Sequence, residues 1–419
     1  MNLKMLGFIQ KKRRKNNNYN LHSFNAQKLK RGNYVTKMYF FISVIMLFSC
    51  NSNDKSTKNE QSTDIINPSG FVIHRGINIS HWLSQVYGFS KRDVFFTKDD
   101  IRLLDSLGFD HIRLPIDEKE MWDDTGKPIA ESFSYLRKAI EWCMEYDMKV
   151  IVDLHIIRSF YFNAINEGHN NTLFTDEKEQ QKFYSLWITL SDSLKRYPES
   201  MLAYELLNEA VAENPDDWNK LIEGGIKTIR AKEPERVIIV GSNMWQITKT
   251  FPDLKVPAND KNIILSFHNY DPLLFTHYKA NWTAYKEFND SVQYPGRIIT
   301  KEVYERNKHL AKNEGEHAFD DALELYGPER FEKIFMPAIE KARKLKLQLY
   351  CGEFGALPYT KRNDRLQYYK DIVSVFEKYN IPYSAWDYKG LFGIRGWDSE
   401  KNSNTTLDVE LSKILTNKK

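Results

Sequence analysis

Two glutamates stand out for where they fall in the chain. Glu209 ends the apolar run at 201–210, MLAYELLNEA, and Glu353 ends a second run at 347–355, LQLYCGEFG. Each run is short and apolar and lies between longer amphipathic stretches, the pattern of a buried parallel strand with a carboxyl at its C-terminal tip. The chemistry open to such a pair is specific. One carboxylate can attack a carbon while the other acid protonates the leaving oxygen, which is how a glycosidic bond is broken. The tips meet only if a closed sheet carries them to one pocket.

The elements that must do the positioning recur along the chain. Runs of strand character occur at 71–79, 111–116, 149–154, 201–207, 236–240, 262–268, 347–352 and 383–386. Helical patterns lie between and after them at about 98–107, 132–147, 176–196, 216–231, 329–345, 362–379 and 408–416, with a poorly defined stretch after the fifth strand. Thr97, with Asp100 three residues on, marks one helix start as a capping box, and Thr175 marks another. Strand followed by helix, eight times, predicts an α/β (β/α)8 barrel, with a doubly wound sheet as the weaker option. Neither GxGxxG nor GxxxxGK[ST] occurs, so nucleotide-binding forms of an α/β fold have no support.

A barrel of this kind places its chemistry at strand ends. The unusual residues here fall there: Arg113, His155, Asn208, Glu209, His268, Tyr270, Glu353 and Trp386. The long excursion from 271 to about 327 carries Phe275, Tyr278, Trp282, Tyr285, Phe288 and Tyr294 and is expected to wall a cleft. No HExxH, H-x-H or CxxC occurs, so neither metal nor other cofactor is expected.

Composition narrows the setting. The chain has 419 residues, 42% apolar and 14% aromatic, ample for a large core. Its net charge of +4 is misleading, because residues 1–37 hold ten Lys or Arg and no acid, which leaves −6 for the rest. A mildly acidic domain without a basic stripe argues against nucleic acid as a partner. The apolar run at 38–48, MYFFISVIMLF, suits a signal-peptide core and is too short to span a bilayer. It runs into Leu47, Phe48, Ser49 and Cys50, a tetrapeptide similar to a bacterial lipobox. The expected organisation is a leader at 1–50, in which 1–37 reads as a mis-start, a polar tether at 51–66 and one catalytic domain at 67–419. Lipid at Cys50 would anchor an exported protein to the outer membrane or cell surface; without it the protein would be periplasmic or secreted. Cys143 and Cys351 then read as two buried, reduced thiols.

In their order, RGINISHWL, HIRLPI, KVIVDLH, YELLNEA, FHNYDP, YCGEFG and AWDY, the motifs resemble glycoside hydrolase family 5, the cellulase-like family of a barrel clan. Two features depart from the family pattern: Ala210 where proline often follows the acid, and DLHIIRS after strand three where a Pro or Gly turn is frequent. The resemblance implies that Glu353 is the nucleophile and Glu209 the acid/base. It implies that Arg113 and Tyr270 keep Glu353 ionised, Asn208 and His155 hold sugar hydroxyls, His268 sits against Glu209, and Trp386 stacks beneath the sugar. The activity it implies is a retaining endo-acting β-glycanase on a β-1,4-linked glucan, with a mannanase or an exo-β-glucosidase as alternatives.

Each residue also has a plainer reading. Arg113 could neutralise a buried acid such as Glu205, and both histidines could be satisfied core residues. Trp142, Trp187 and Trp218 fall on helical patterns and read as outer-layer packing, whereas Trp82, Trp122, Trp245, Trp282 and Trp397 lie where sugar platforms would, or pad loops. A lipid-anchored glycan-binding protein that has lost catalysis is the competing class of function. Its weakness is that a binder has no use for both glutamates together with Arg113 and Tyr270.

Overall fold

The computed structural model describes residues 67–86, 91–164, 171–310 and 319–418. The expected leader, tether and Cys50 lie outside them. Eight parallel strands close into a barrel: β1 (Arg75–Asn78), β2 (His111–Asp117), β3 (Lys149–Ile156), β4 (Leu202–Glu205), β5 (Val237–Gly241), β6 (Ile263–Asn269), β7 (Gln348–Phe354) and β8 (Tyr383–Ala385). Each pairs with its neighbour in chain order, and β8 returns to β1 through Gly76 opposite Ser384. Around them stand α1 (Lys98–Leu107), α2 (Ala130–Glu145), α3 (Glu177–Leu194), α4 (Pro215–Arg230), α5 (Pro328–Leu345), α6 (Arg362–Lys378) and α7 (Val409–Thr416). No described helix is long and apolar enough to cross a membrane.

The two-residue period of a strand sorts the side chains. Val150 and Val152 point outward to the helices, while Ile151 joins Phe71, Ile73, Ala203, Val237, Ile239, Ile264 and Tyr350 in an inner cluster. Two residues further along the same inward faces come Asp153 and Glu205, so an apolar layer supports a charged one. Phe71 and Ile73 belong to that inner cluster but precede β1, which is why the first strand is shorter than its apolar run.

Local signals are obeyed with small corrections. Thr97 and Asp100 form the capping box of α1, and Gly108 ends it at φ 98°. The cap of α3 is Asp176, which accepts from Lys178 N–H, and not Thr175. After β5 there is a short kinked turn, Asn243–Gln246, and a 3-10 stretch, Thr248–Asp253, in place of a long helix.

The excursion after β6 packs on itself. Phe275, Tyr285 and Phe288 are fully buried, so the expected cleft wall is mostly the interior of a small sub-structure, with Trp282 half exposed at its surface. Trp82 and Trp122 are likewise core residues and not platforms. Trp187 and Trp218 fill the outer layer and donate to the carbonyls of Leu206 and Gly241. Cys143 and Cys351 are free and buried.

Candidate active site

The site is assembled where the inward faces reach the strand tips. At β7 the register with β6 skips a residue: Phe267 faces Cys351, but His268 faces Glu353, leaving Gly352 as the bulged position. A Cβ at Gly352 would stand 2.8 Å from His268 Nε2 and 3.0 Å from Ser266 Oγ, so only glycine allows this approach. A second bulge lies on β3, where Ile116 faces Leu154 and Asp117 faces Ile156, with His155 between. Beyond β4, Asn208 N–H donates to Leu154 C=O at 3.0 Å, and Glu209 turns at φ 46°, a left-handed conformation uncommon for a residue with a side chain.

These turns bring together all eight residues that sequence reasoning singled out. Oxygens of Glu209 and Glu353 and a ring nitrogen of His268 lie within 4.8 Å of one another. Arg113 is fully buried and holds three acids at once: Glu353 at 2.7 Å, Glu205 at 2.6 Å and Asp153 at 3.0 Å. Tyr270 donates its hydroxyl to the other Glu353 oxygen at 2.9 Å. Asn208 Oδ1 accepts from Arg113 at 2.9 Å, while its Nδ2 is buried with no partner among the described residues. His268 Nδ1 lies 3.0 Å from Glu209 and 3.8 Å from Glu353. Trp386 lies parallel to the His155 ring, 10° apart in plane with centroids at 5.7 Å, and packs on Ala280, Leu357, Phe392 and Tyr270.

Arg113 pairs with Glu205, the buried acid of its plainer reading, and reaches Glu353 as well. His155 is more enclosed than expected. Its Nδ1 is 2.7 Å from Asp153 and its Nε2 is 3.2 Å from Gln85 Nε2, so Nδ1 carries the proton and Nε2 accepts from the amide.

Electrostatics separate the two glutamates. Burial pushes Glu209 well above the ordinary carboxyl range, and the charge of Glu353 adds to the shift. Burial raises Glu353 too, but Arg113 and the Tyr270 hydroxyl pull it back, which leaves Glu209 the one that keeps its proton. Burial depresses His155 to about 4 and His268 well below its usual value, so both rings are neutral. One guanidinium cannot balance three desolvated acids, and burial lifts Asp153 to about 7 against the pull of Arg113.

Glu209, His268 and Glu353 have ligand spacing for a cation. The fixed charge of Arg113, 2.7 Å from one of the three, opposes a second positive charge there. Sequence reasoning missed Asn78 and Asp153. Asn78 accepts from Arg113 at 3.0 Å and donates to Gly352 C=O at 3.0 Å, and Asp153 orients His155. The signal that could have found Asp153 is its inward position, two residues past Ile151 and two before His155.

A closed parallel barrel with two unlike acids facing each other at its strand tips defines an enzyme of paired-carboxyl chemistry. The chain belongs to glycosyl hydrolase family 5: the family profile described as cellulase (glycosyl hydrolase family 5) matches residues 68–391. It is therefore a glycoside hydrolase. Among similar proteins is endoglucanase C of Acetivibrio thermocellus, 34% identical over 346 residues, which cover 80% of this chain and 96% of that one. Cellodextrinase A of Ruminococcus flavefaciens is 33% identical over 356 residues, covering 83% and 94%. In fold it is similar to the crystal structure of the cellulose synthase subunit Z of Clostridioides difficile, with a TM-score of 0.64 at 24% identity over 82% of this chain and 99% of that one.

Proposed function

We propose that the protein is an endo-β-1,4-glucanase acting by double displacement with retention. The observation that carries this reading is that a Glu209 oxygen and a Glu353 oxygen lie within 4.8 Å of each other, a close pairing that favours the second acid as nucleophile, since inversion needs a gap of about 6.5–9.5 Å between the carboxyls for water. Glu353 attacks the anomeric carbon, the glycosidic C–O bond breaks, and Glu209 gives its proton to the departing oxygen. Water then enters, Glu209 takes a proton from it, and the new hydroxyl displaces Glu353 from the sugar. The unpartnered Asn208 Nδ2 is the donor that a sugar 2-hydroxyl would satisfy. Half-exposed Trp282, which contacts His277 and Phe392 beside Tyr270, offers a platform for the next sugar.

The names of the relatives favour a β-1,4-glucan, and cellodextrinase A supports a second reading in which short cellodextrins are the preferred substrate. Mannan is the runner-up polymer. The test is product sizing on soluble β-glucans, mannans and cellodextrins, combined with proton NMR of the first anomer released. Mid-chain products of retained configuration support the proposal, and an inverted first anomer or inertness toward every glycan ends it. Export with a lipid at Cys50 is proposed from the apolar run and the LFSC tetrapeptide. Metabolic labelling with a fatty-acid analogue, lost in Cys50→Ser, checks it; an unlabelled native chain refutes it.

A further inference from the structure

The chain leaving β5 takes an unusual path. Met244, Trp245 and Gln246 all lie in the left-handed region, at φ 56°, 58° and 57°, where non-glycine residues normally appear singly. This turn is bound along its length to the segment that carries Glu209. Asn243 accepts from Ala212 N–H and donates to Ala212 C=O, both at 2.8 Å. Trp245 N–H donates to Ala210 C=O at 3.2 Å. Gln246 Oε1 accepts from Glu209 N–H at 2.8 Å, and its Nε2 donates to Glu205 at 3.2 Å and to Ser266 Oγ at 3.1 Å.

Gln246 is fully buried, and its side chain crosses a place that glycine keeps open. A Cβ on Gly241 would stand 2.2 Å from Gln246 Cγ. Glu209 itself is at φ 46°, a strained conformation for a residue with a side chain, which persists only where its surroundings hold it. Hydrogen bonds thus run from Glu209 N–H through Gln246 to Glu205, and from Glu205 through Arg113 to Glu353.

We infer that Gln246 is a positioning residue for the acid/base: it holds Glu209 in the left-handed turn that aims its carboxyl, and ties that turn to the support of the nucleophile. The inference rests on the reading of Glu209 as acid/base. A residue that only filled space would need none of these bonds. Leucine fills nearly the same volume but removes the partner of Glu209 N–H and the bond to Glu205 Oε1, while Arg113 still holds Glu205 Oε2.

The test uses the full chain and two substrates. Cellopentaose needs a proton on its leaving oxygen, whereas dinitrophenyl β-cellobioside releases an anion that needs none. In Gln246→Leu, kcat/KM on cellopentaose is expected to fall about 100-fold, the cost of a small misplacement of a reacting group, with KM little changed and the aryl substrate losing under about threefold. Gln246→Glu is expected to restore much of the cellopentaose rate at the acid end of the profile, where a protonated carboxyl still accepts from Glu209 N–H and donates one bond toward Glu205 or Ser266 in place of the amide's two. That rescue should fade as the new group ionises. Equal losses on both substrates in a folded Gln246→Leu protein would overturn the inference. Where that variant does not fold, Gln246→Glu decides: a ratio of the two rates that does not change with pH, beyond any change seen in the wild type, overturns it. A wild-type protein inert to both substrates defeats the acid/base reading itself, visibly and before any variant is made.

Discussion

Arg113 on β2 and Glu353 on β7 form a buried ion pair at 2.7 Å, inside a barrel whose other acids compete for the same guanidinium. The pair explains how two glutamates in one pocket come to differ. Glu353 has a fixed cation and a tyrosine hydroxyl; Glu209 has a neutral histidine and the charge of Glu353. Removing a like charge lowers a neighbour's pKa, and adding a cation lowers it further, so the asymmetry belongs to the arrangement and not to either residue type.

Replacing Glu209 should separate the two halves of the reaction. Glu209→Ala is expected to lose about 10²- to 10⁴-fold on a glucan, the usual worth of a positioned proton donor. An aryl glycoside with a good leaving group should still load Glu353, and azide should speed the second step and appear as a β-glycosyl azide. Rapid-quench kinetics and mass analysis of the azide product check this. A loss of equal size on both substrates would remove Glu209 from the role.

The part of the stability that depends on Asp153 should fall as pH rises through about 7. The buried imidazoles work the other way: burial lowers those of His155, His268 and His277, so the unfolded chain, titrating near the ordinary value of about 6.5, binds more protons there and their contribution rises with pH. Asp153 is raised to about 7 by burial, so the folded state binds its proton more tightly than the unfolded chain does. Such a group contributes stability that is present below its unfolded value and lost as pH rises through its folded value. The histidines are common to both proteins, so the melting temperature of the wild type relative to Asp153→Asn, which keeps an acceptor for His155, should decline from pH 6 to 8. An unchanged slope in that variant would assign the effect elsewhere.

Gly352→Ala tests the bulge on β7. The added methyl would meet His268 Nε2 at 2.8 Å, and the backbone carbonyl of Gly352 is held by Asn78. Relief of that overlap is expected to cost about 1–3 kcal/mol in stability. It should also shift His268 or Glu353 enough to reduce kcat about 100-fold. Thermal melts and steady-state rates report the two effects separately. A variant with wild-type rates would show that the close approach is not needed for catalysis.

Much of this architecture is written locally. The strands of a parallel barrel are buried on both faces, so their apolar runs are continuous and easy to place, and seven of the helices carry ordinary periodicity or caps. The excursion after β6 was harder, because aromatic residues packing among themselves look the same in sequence as aromatic residues lining a cleft. Trp82 and Trp122 misled for the same reason: position after a strand tip does not decide exposure. Asn78, Asp153 and Gln246 are common polar residues whose importance comes from what lies across the barrel from them.

The amino-acid sequence by itself determined the eight strands and the seven long helices around them, the acids at the tips of β4 and β7 and the ordered motifs of a glycosidase family, because each of these is a property of one short segment. Only the tertiary structure decided that Glu209 and Glu353 share one pocket, that bulges re-aim His155 and Glu353, and that Gln246 secures the turn at Glu209. Those relations join residues far apart in the chain, and their distances are set when the barrel closes and β8 returns to β1.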